Sequence, residues 1–524
     1  MSRFEEILES IVAGGDPAEL QPPQSRNEVL MQAVHAKMSA DAAKIAEHTE
    51  DIAEVTSQLA AIDTRVDTLE DSDIPAYGVA YAGTSSPALT RTLNAVGLTA
   101  VAWVGNVPAA NNFDALEPWA SIVRVNLADD GTVNAIYGDP TYKADGTNGQ
   151  VMVRIPKFWY KLTPVVPLTQ PVYQVSISGY KKADYSVHPA FAGRKLDGGD
   201  LDYIFVGAYD AGDDAGKLTS VAGVIPKVSA TRAQFRTAAQ ARGTNWAQMD
   251  YLAACAVQLL YLVEYANWDG QTAIGADLSA LPYTATHLAT VATTAANDII
   301  IATSLAGTYD VGMVIGIGTS LGGNQIAVSR AITAKAIYDG TNTKLTFDGA
   351  PVSVAVGNIV YATGQKTGRA DTVQPGKSGR EAGATADRSA MVYRGIENLW
   401  GNVWTWIDGL NIADWVWAYC NNIDAYADNT IAGNYTPLEG VAPSADGYVK
   451  TMRLSDWTFR PLTVGGSSST YIPDYYYQSS GARVLALGGS WGFGAADGPF
   501  SFGADYLSGA APVNYGGRLL YLPR

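Results

Sequence analysis

The chain has 524 residues, of which 47% are hydrophobic and 16% charged, and its formal net charge is −16. Its length exceeds what one hydrophobic core usually serves, which predicts two to four domains, and its 53 glycines and 29 tyrosines favour loop-rich β structure. The acidic charge argues against nucleic acids and anionic membranes as partners, because binding to them depends on Lys and Arg, and no apolar run is long enough for membrane insertion.

The N-terminal residues and the cysteines indicate the compartment in which the protein is made. Cys255 and Cys420 are too few for a disulfide scaffold and stand in no CxxC or Cys/His cluster. We therefore expect two buried free thiols. The N-terminus, with Glu5, Glu6 and Glu9, is acidic where a secretory signal peptide would be basic. Both observations fit synthesis in a reducing cytoplasm.

The N-terminal region, residues 1–74, has the patterns of helices. Ser25 and Glu28 have the spacing of a capping box, which predicts a helix start. Farther on, apolar residues alternate spacings of three and four, as in a coiled coil, and Ile or Val at both core positions favours a trimer. An amphipathic helix packed on a globular domain is the alternative. The core positions of this heptad seam are Ile45, His48, Ile52, Val55, Leu59, Ile62, Val66 and Leu69.

The middle of the chain changes from helical to β-prone patterns near Ile74. Residues 75–170 alternate short β-prone runs with turn signals, which predicts a small β domain. Two helices with clear start signals follow. Thr231 and Gln234 form a capping box, and Asn245 is placed to cap a longer helix with a continuous apolar face.

An insertion is predicted within the C-terminal region. Residues 279–366 contain β-prone runs separated by Gly-rich turns, which indicate a separate β module. We expect this module to be a spacer or a contact between chains rather than a binding site.

Three tryptophans, Trp400, Trp404 and Trp406, lie in one short segment. Side chains of a strand alternate between its faces, so Trp404 and Trp406 are expected on the same face. Two large rings beside a helix usually fill a core, although a pair of indoles can also stack on a sugar. Asp408–Gly409 predicts a hairpin turn before the next β-prone run at Asp414–Tyr419.

Three motifs in order give a resemblance to a known family. Gly401–Trp406 (GNVWTW) is followed by Gly488–Trp491 (GGSW) and by Gly517–Leu519 (GRL). Together they resemble the formylglycine-generating-enzyme branch of the C-type-lectin fold, whose second helix is matched by residues 245–266. The resemblance covers residues 171–524 apart from the insertion. It implies a C-terminal C-type-lectin-like domain. Together with the N-terminal helical coiled coil and the small β domain predicted above, the expected fold is a β-rich α+β protein.

The enzymatic members of that family rely on a cysteine pair near the C-terminus or, in iron-dependent relatives, on clustered histidines. Here no cysteine follows Cys420, and the four histidines are scattered outside the matching motifs. We therefore expect no catalytic residue, no metal site and no cofactor. An enzyme of the same fold is the alternative, and whether a calcium ion assists stays open.

The binding branch of this fold resembles the variable proteins of diversity-generating retroelements. These are phage receptor-binding proteins, and their diversified residues lie between the GGSW strand and the last of the three motifs. Here that interval, residues 492–517, contains no Lys, Glu, Gln, Met or Trp. In that family the adenines of Asn-type codons are randomised. Codons changed in this way cannot encode those five residue types, so the composition of the interval fits diversification. The alternative explanation for this composition is that Gly-rich loops are often poor in long side chains. In the family, Trp491 and Arg518 belong to the scaffold.

The same interval has the composition of a paratope, in which rigid aromatic rings supply contact area at low entropic cost. A second aromatic loop, Tyr471 and Tyr475–Tyr477, is expected to border the same face. If strand alternation turns some rings inward, those rings are core. The predicted receptor contacts are Phe493, Ala495, Asp497, Phe500, Phe502, Asp505, Tyr506, Asn514 and Tyr515.

The resemblance implies a phage tail-fibre protein of the virion, made in the host cytoplasm, whose C-terminal loops bind a receptor on the host cell surface. Whether the receptor is a protein or a glycan stays open. The expected assembly is a homotrimer joined to the phage tail or baseplate through its N-terminal region. An inert structural fibre component is the alternative, and the aromatic-rich terminal loops favour receptor binding over it.

Overall fold

The computed structural model describes residues 34, 37, 73–164, 173–383, 388–455 and 457–524. The heptad seam predicted between Ile45 and Leu69 lies outside these residues. Within 73–524, the described part contains 34 strands and three α-helices, so the protein is β-rich.

The helices are α1 (Arg232–Gln240), α2 (Tyr251–Tyr265) and α3 (Gly270–Ala273). The strands before and between the helices are β1 (Tyr77–Tyr81), β2 (Thr90–Leu93), β3 (Trp103–Val104), β4 (Val123–Leu127), β5 (Val133–Ile136), β6 (Gln150–Pro156), β7 (Trp159–Pro164), β8 (Tyr173–Ser178), β9 (Ser186–Val187), β10 (Tyr203–Gly207), β11 (Gly212–Asp214), β12 (Lys217–Thr219) and β13 (Trp246–Gln248). The insertion contains β14 (Ala289–Val291), β15 (Thr293–Ala296), β16 (Asp298–Ala302), β17 (Met313–Ser320), β18 (Gly323–Ile337), β19 (Asn342–Phe347), β20 (Val352–Val354) and β21 (Ile359–Gln365). The remaining strands are β22 (Gly379–Arg380), β23 (Met391–Tyr393), β24 (Ile396–Glu397), β25 (Trp404–Ala413), β26 (Val416–Tyr419), β27 (Thr436–Pro437), β28 (Gly447–Ser455), β29 (Thr458–Val464), β30 (Tyr475–Gln478), β31 (Ala482–Gly488), β32 (Gly498–Ala504), β33 (Tyr515–Gly516) and β34 (Leu519–Tyr521).

Helix α2 lies in the main hydrophobic core. Asp250 caps its first turn by accepting a hydrogen bond from the backbone N–H of Ala253, and the chain leaves the helix at Ala266 with a φ of 51°. Every residue of α2 is buried, and its sequence is accordingly apolar around the whole helix apart from Gln258 and Glu264. The prediction of a helix here is confirmed. Asn245 does not cap it, because the residues that follow Asn245 form β13.

The strands of residues 75–170 do not form a domain of their own. β1 pairs with β8, and β6 pairs with β10, which in turn pairs with β34 at the C-terminal end. The described residues of 76–524 form one compact unit of several sheets. The predicted α+β fold, with a small β domain separate from a C-type-lectin-like domain, is therefore wrong, whereas the predicted coiled coil lies outside the described residues. Pairing between strands that are far apart in the chain leaves no mark in local periodicity.

The insertion forms a six-stranded sheet of its own, in the order β14-β16-β19-β18-β17-β21. The prediction of a β module is thus confirmed. The module is not separate, because its core also contains Trp103, Val392, Val403 and Trp491 from other parts of the chain.

A nine-stranded sheet positions the site described below. Its order is β27-β26-β25-β31-β32-β30-β28-β29, and β33 pairs with β25. One face belongs to the same core as α2, with Leu485 and Phe500 among its members. Trp404, Trp406 and Tyr515 cover the opposite face and belong to another cluster of buried residues.

The hairpin of β25 and β26 turns later than predicted. β25 continues past Asp408–Gly409 to Ala413, and Asp414 and Trp415 make the turn, since both have positive φ as in a type I′ turn. Gly409 lies where the register between β25 and β31 shifts, so it marks a β-bulge.

Candidate functional site

The nine-stranded sheet presents tyrosines on its outer face. In β30, Tyr475 and Tyr477 are half-buried, whereas Tyr476 between them is fully buried. This is the alternation of a strand with one face on a core and the other toward solvent. β30 runs parallel to β32, where Tyr477 stands opposite Gly503.

Three buried rings support this face. Trp404 stacks on Tyr515 with ring centroids 5.6 Å apart, and the centroid of Trp406 lies 4.5 Å from that of the same tyrosine. Trp404 and Trp406 are 1% and 0% exposed, so the prediction that they fill a core is confirmed. They do not stack on a ligand themselves, but they hold the rings above them.

Five half-buried rings pack on or beside this support, and we call them the aromatic patch. The ring centroid of Tyr477 lies 5.5 Å from that of Phe493 and 4.5 Å from that of Tyr475, which is 5.1 Å from that of Tyr448. Phe493 also packs against buried Trp404, and Tyr506 against buried Trp406. The patch is therefore fixed on a rigid base. Its members are Tyr448, Tyr475, Tyr477, Phe493 and Tyr506.

Polar groups lie beside these rings. Asp505 is partly buried, and its Oδ1 accepts no hydrogen bond from the described residues. Burial raises the pKa of this carboxyl, Asp446 raises it further, and Arg483 acts in the opposite direction. Burial also raises the pKa of Tyr477, so this phenol stays protonated and can donate a hydrogen bond to a ligand.

Four of the predicted receptor contacts are buried. Phe500 and Phe502 are both 0% exposed, and Asp497 and Tyr515 are 1% and 3% exposed. The prediction that these four side chains contact a receptor is wrong. For Phe500 and Phe502 the reason is that β32 is an internal strand covered on both faces, so that every one of its residues is buried. Asp497 directly precedes this strand, and Tyr515 lies in β33, which pairs with β25.

The other five predicted contacts reach the surface, in the loops before and after β32. Ala495 is exposed, and the rest are half-buried. The second loop is tied to the segment that follows β31 by a hydrogen bond of 3.1 Å that Asn514 Nδ2 donates to Ser490 Oγ. These five residues are Phe493, Ala495, Asp505, Tyr506 and Asn514.

The second aromatic loop is only partly where it was predicted. Tyr475 and Tyr477 border the same face, which their contacts with Phe493 and with each other confirm. Tyr471 is outside the patch and lies against Lys450. Sequence reasoning missed Tyr448, which the alternation with buried Val449 in β28 could have indicated.

Both cysteines and His188 are buried in the described part of the chain. No group of three or more His, Cys, Asp or Glu among the described residues is arranged to hold a metal ion. Both cysteines are free and buried, as predicted, and burial raises the pKa of Cys255 to about 12. Burial lowers the pKa of His188 to about 3, which keeps its ring neutral. These groups are poor nucleophiles and poor bases at neutral pH.

No protein-family model matches the chain, and no curated protein matches its sequence. In the part of the chain that the structure describes, no helix is long and apolar enough to cross a bilayer.

Proposed function

We propose that the chain is a phage tail-fibre receptor-binding protein whose aromatic patch contacts the host cell surface. The observation that carries the proposal is a row of four half-buried rings in mutual contact, from Tyr448 through Tyr475 and Tyr477 to Phe493, on a buried base of Trp404, Trp406 and Tyr515. Groups of apolar side chains that a protein leaves at its surface mark binding sites. The function proposed is binding without catalysis, with the N-terminal region joined to the phage tail.

Rings held in this way bind at low entropic cost. Tyr477 already packs against Trp404 and Phe493, so it loses little side-chain freedom when a ligand covers it. The net charge of −16 favours a neutral or cationic receptor surface over one rich in phosphate or sulfate. Both features support attachment to an uncharged or basic region of the receptor.

The fold also limits where a diversified sequence is tolerated. Residues 492–495 and 505–514 lie in surface loops, whereas β32 between them is buried. A change at Phe500 or Phe502 would open a cavity in the core. We infer that, if a retroelement diversifies this chain, the variable positions fall in the two loops. The absence of Lys, Glu, Gln, Met and Trp from residues 492–517 supports this inference.

Binding of the labelled full-length protein to whole cells of a panel of bacterial strains tests the proposal. We expect the double variant Tyr475→Ser with Tyr477→Ser to bind cells at least about thirtyfold more weakly, because one central aromatic side chain contributes roughly 2 kcal/mol. The matched control is Tyr338→Ser, whose ring is 49% exposed and lies outside the patch.

Thermal unfolding of the same variants separates binding from folding. If the double variant is folded and binds cells as tightly as the wild type, the patch does not contact the host, and an inert structural fibre component becomes the better account. Loss of binding in Tyr338→Ser alone would instead place the contact in the insertion.

A further inference from the structure

A cavity of about 250 Å³ lies between α3 and the loops that precede β30 and β32. Gln271 donates hydrogen bonds from its Nε2 to the backbone oxygens of Gly494 and Asp497, which ties one wall of the cavity to the other. Three carboxylates line the cavity, those of Asp269, Asp474 and Asp497, and none of its lining residues is Lys, Arg or His. Its walls therefore carry acidic groups without a basic partner.

Two of these carboxylates are held in the interior. Asp474 and Asp497 are each 1% exposed. Asp474 Oδ2 accepts a hydrogen bond of 2.6 Å from the backbone N–H of Phe500, and Asp497 Oδ1 accepts one of 3.3 Å from that of Ser490. Asp497 Oδ2 is buried and has no hydrogen-bond partner among the described residues. A buried oxygen without a donor is costly, which points to a missing partner.

Glycines make room for both carboxylates. A Cβ on Gly498 would stand 2.1 Å from Asp474 Oδ1, and a Cβ on Gly489 would stand 1.7 Å from Asp497 Oδ1. The φ of Gly498 is outside the left-handed region, so the carboxylate and not the backbone requires glycine at this position. The chain is thus shaped around the two acidic groups.

The surroundings of the two carboxyls disfavour their charged forms. Burial raises the pKa of Asp474 and of Asp497 well above the usual value, and each carboxyl also faces other acids. Asp497 faces Asp277 and Asp474, and Asp474 faces Asp269. A cation in the cavity would neutralise this repulsion and give Asp497 Oδ2 a donor.

We propose that this cavity binds an organic cation, a primary ammonium or a guanidinium group. The cavity is larger than a bare metal ion needs, and no group of three or more acidic, His or Cys side chains in the described part is arranged to hold a metal. A guanidinium or ammonium group brings several N–H donors, which match two carboxylates and their unpaired oxygen.

The proposal does not depend on host binding by the aromatic patch, although the two sites are neighbours. The loop before β32 places Phe493 in the patch, while Ala495 and Asp497 line the cavity. A cationic side chain of a bound protein and a free polyamine share the required chemistry. Both sources can therefore be compared in one experiment.

The test is isothermal titration calorimetry of the full-length protein at pH 8 with agmatine, with Nα-acetyl-arginine amide, with neutral N-butylacetamide and with calcium chloride. We expect agmatine or the arginine derivative to bind and N-butylacetamide not to bind. In Asp474→Asn and Asp497→Asn, affinity should fall about tenfold, the loss for one charge-assisted hydrogen bond. Asparagine keeps the acceptor for the backbone N–H, so both variants are expected to fold.

Exposed Asp446→Asn is the matched control and should bind as the wild type does. Absence of binding by both cationic compounds overturns the proposal, as does undiminished affinity in both cavity variants. Binding of calcium without either organic cation overturns it in favour of a metal site. Tighter binding of agmatine than of the arginine derivative favours a free amine as the ligand.

A second measurement on the wild type covers the case in which the variants do not fold. Because the carboxyl pKa values are raised, binding of a cation should release protons and should strengthen from pH 5 to pH 8. Tyr261 and Tyr477 also face these acids, and burial raises their pKa, so neither ionises in this range. An affinity that does not change with pH would contradict the proposal.

Discussion

Gly503 shows how a single residue shapes the aromatic patch. It lies in β32 beneath the supporting rings, and a Cβ at this position would stand 3.1 Å from Tyr515 Oη and 3.5 Å from the ring of Trp404. Its φ is not in the left-handed region, so close approach of the rings is the reason for glycine here. The rings of Trp404 and Tyr515 therefore pack directly against the backbone of β32.

A larger side chain at position 503 should displace the rings of Trp404 and Tyr515. We expect Gly503→Leu to lower the free energy of unfolding by about 1–3 kcal/mol, because an extra side chain overpacks the space under Trp404 and Tyr515. Urea unfolding measures the change. The control is Gly492→Leu, where nothing lies within 4 Å of an added Cβ. Equal midpoints for the two variants would show that the rings do not rest on Gly503.

At the scale of elements, α1 follows closely from its sequence. Thr231 Oγ1 accepts a hydrogen bond from the backbone N–H of Gln234, and Gln234 Oε1 accepts one from that of Thr231, so the predicted capping box is confirmed. Its tertiary contacts were not predictable in this way. Arg236 pairs with Asp408 of β25 at 2.6 Å, a contact that depends on the whole fold.

Removing the cap should weaken this helix. We expect Thr231→Ala to lower the free energy of unfolding by about 1 kcal/mol, since the first turn loses an acceptor for its backbone N–H. Chemical denaturation checks the value. Thr237→Ala is the matched control, because Thr237 is exposed within the same helix and its hydroxyl bonds only to the carbonyl of Ala233. If both variants lose the same stability, the capping box has no special role.

Local elements were predictable, and their assembly was not. The shared face of Trp404 and Trp406 follows from alternation alone, and it is confirmed. The burial of Phe500 and Phe502 does not follow from alternation, because it depends on the pairing of β30 and β31 with the two edges of β32. A β-prone run with alternating rings looks the same whether one face or both faces are covered. The candidate site was therefore found in part, through its loops.

At the scale of the whole molecule, buried charges join segments that are distant in the chain. Arg394 pairs with Glu264 of α2 at 2.6 Å and with Asp114 at 2.7 Å, and Glu264 also accepts a hydrogen bond from Asn111. Removing one partner of such a buried network usually costs about 3–5 kcal/mol. These contacts hold the described residues of 76–164 to the rest of the unit.

Arg518 joins the end of the chain to the same unit. It is 1% exposed, pairs with Asp210 at 2.8 Å and donates to the backbone oxygens of Gly207 and Glu397. The resemblance implied a structural role for this arginine, and these contacts fit that role. A buried ion pair as well as apolar packing thus holds the last strand segment to the rest of the unit.

Hydroxyl-radical footprinting of the full-length protein, with and without bound host cells, tests most directly whether the aromatic patch contacts the host. We expect the cells to protect Tyr475, Tyr477 and Phe493 from modification, while the exposed control tyrosines Tyr137 and Tyr338 react as before. Unchanged modification of the patch, with protection only at sites elsewhere on the surface, would contradict the account.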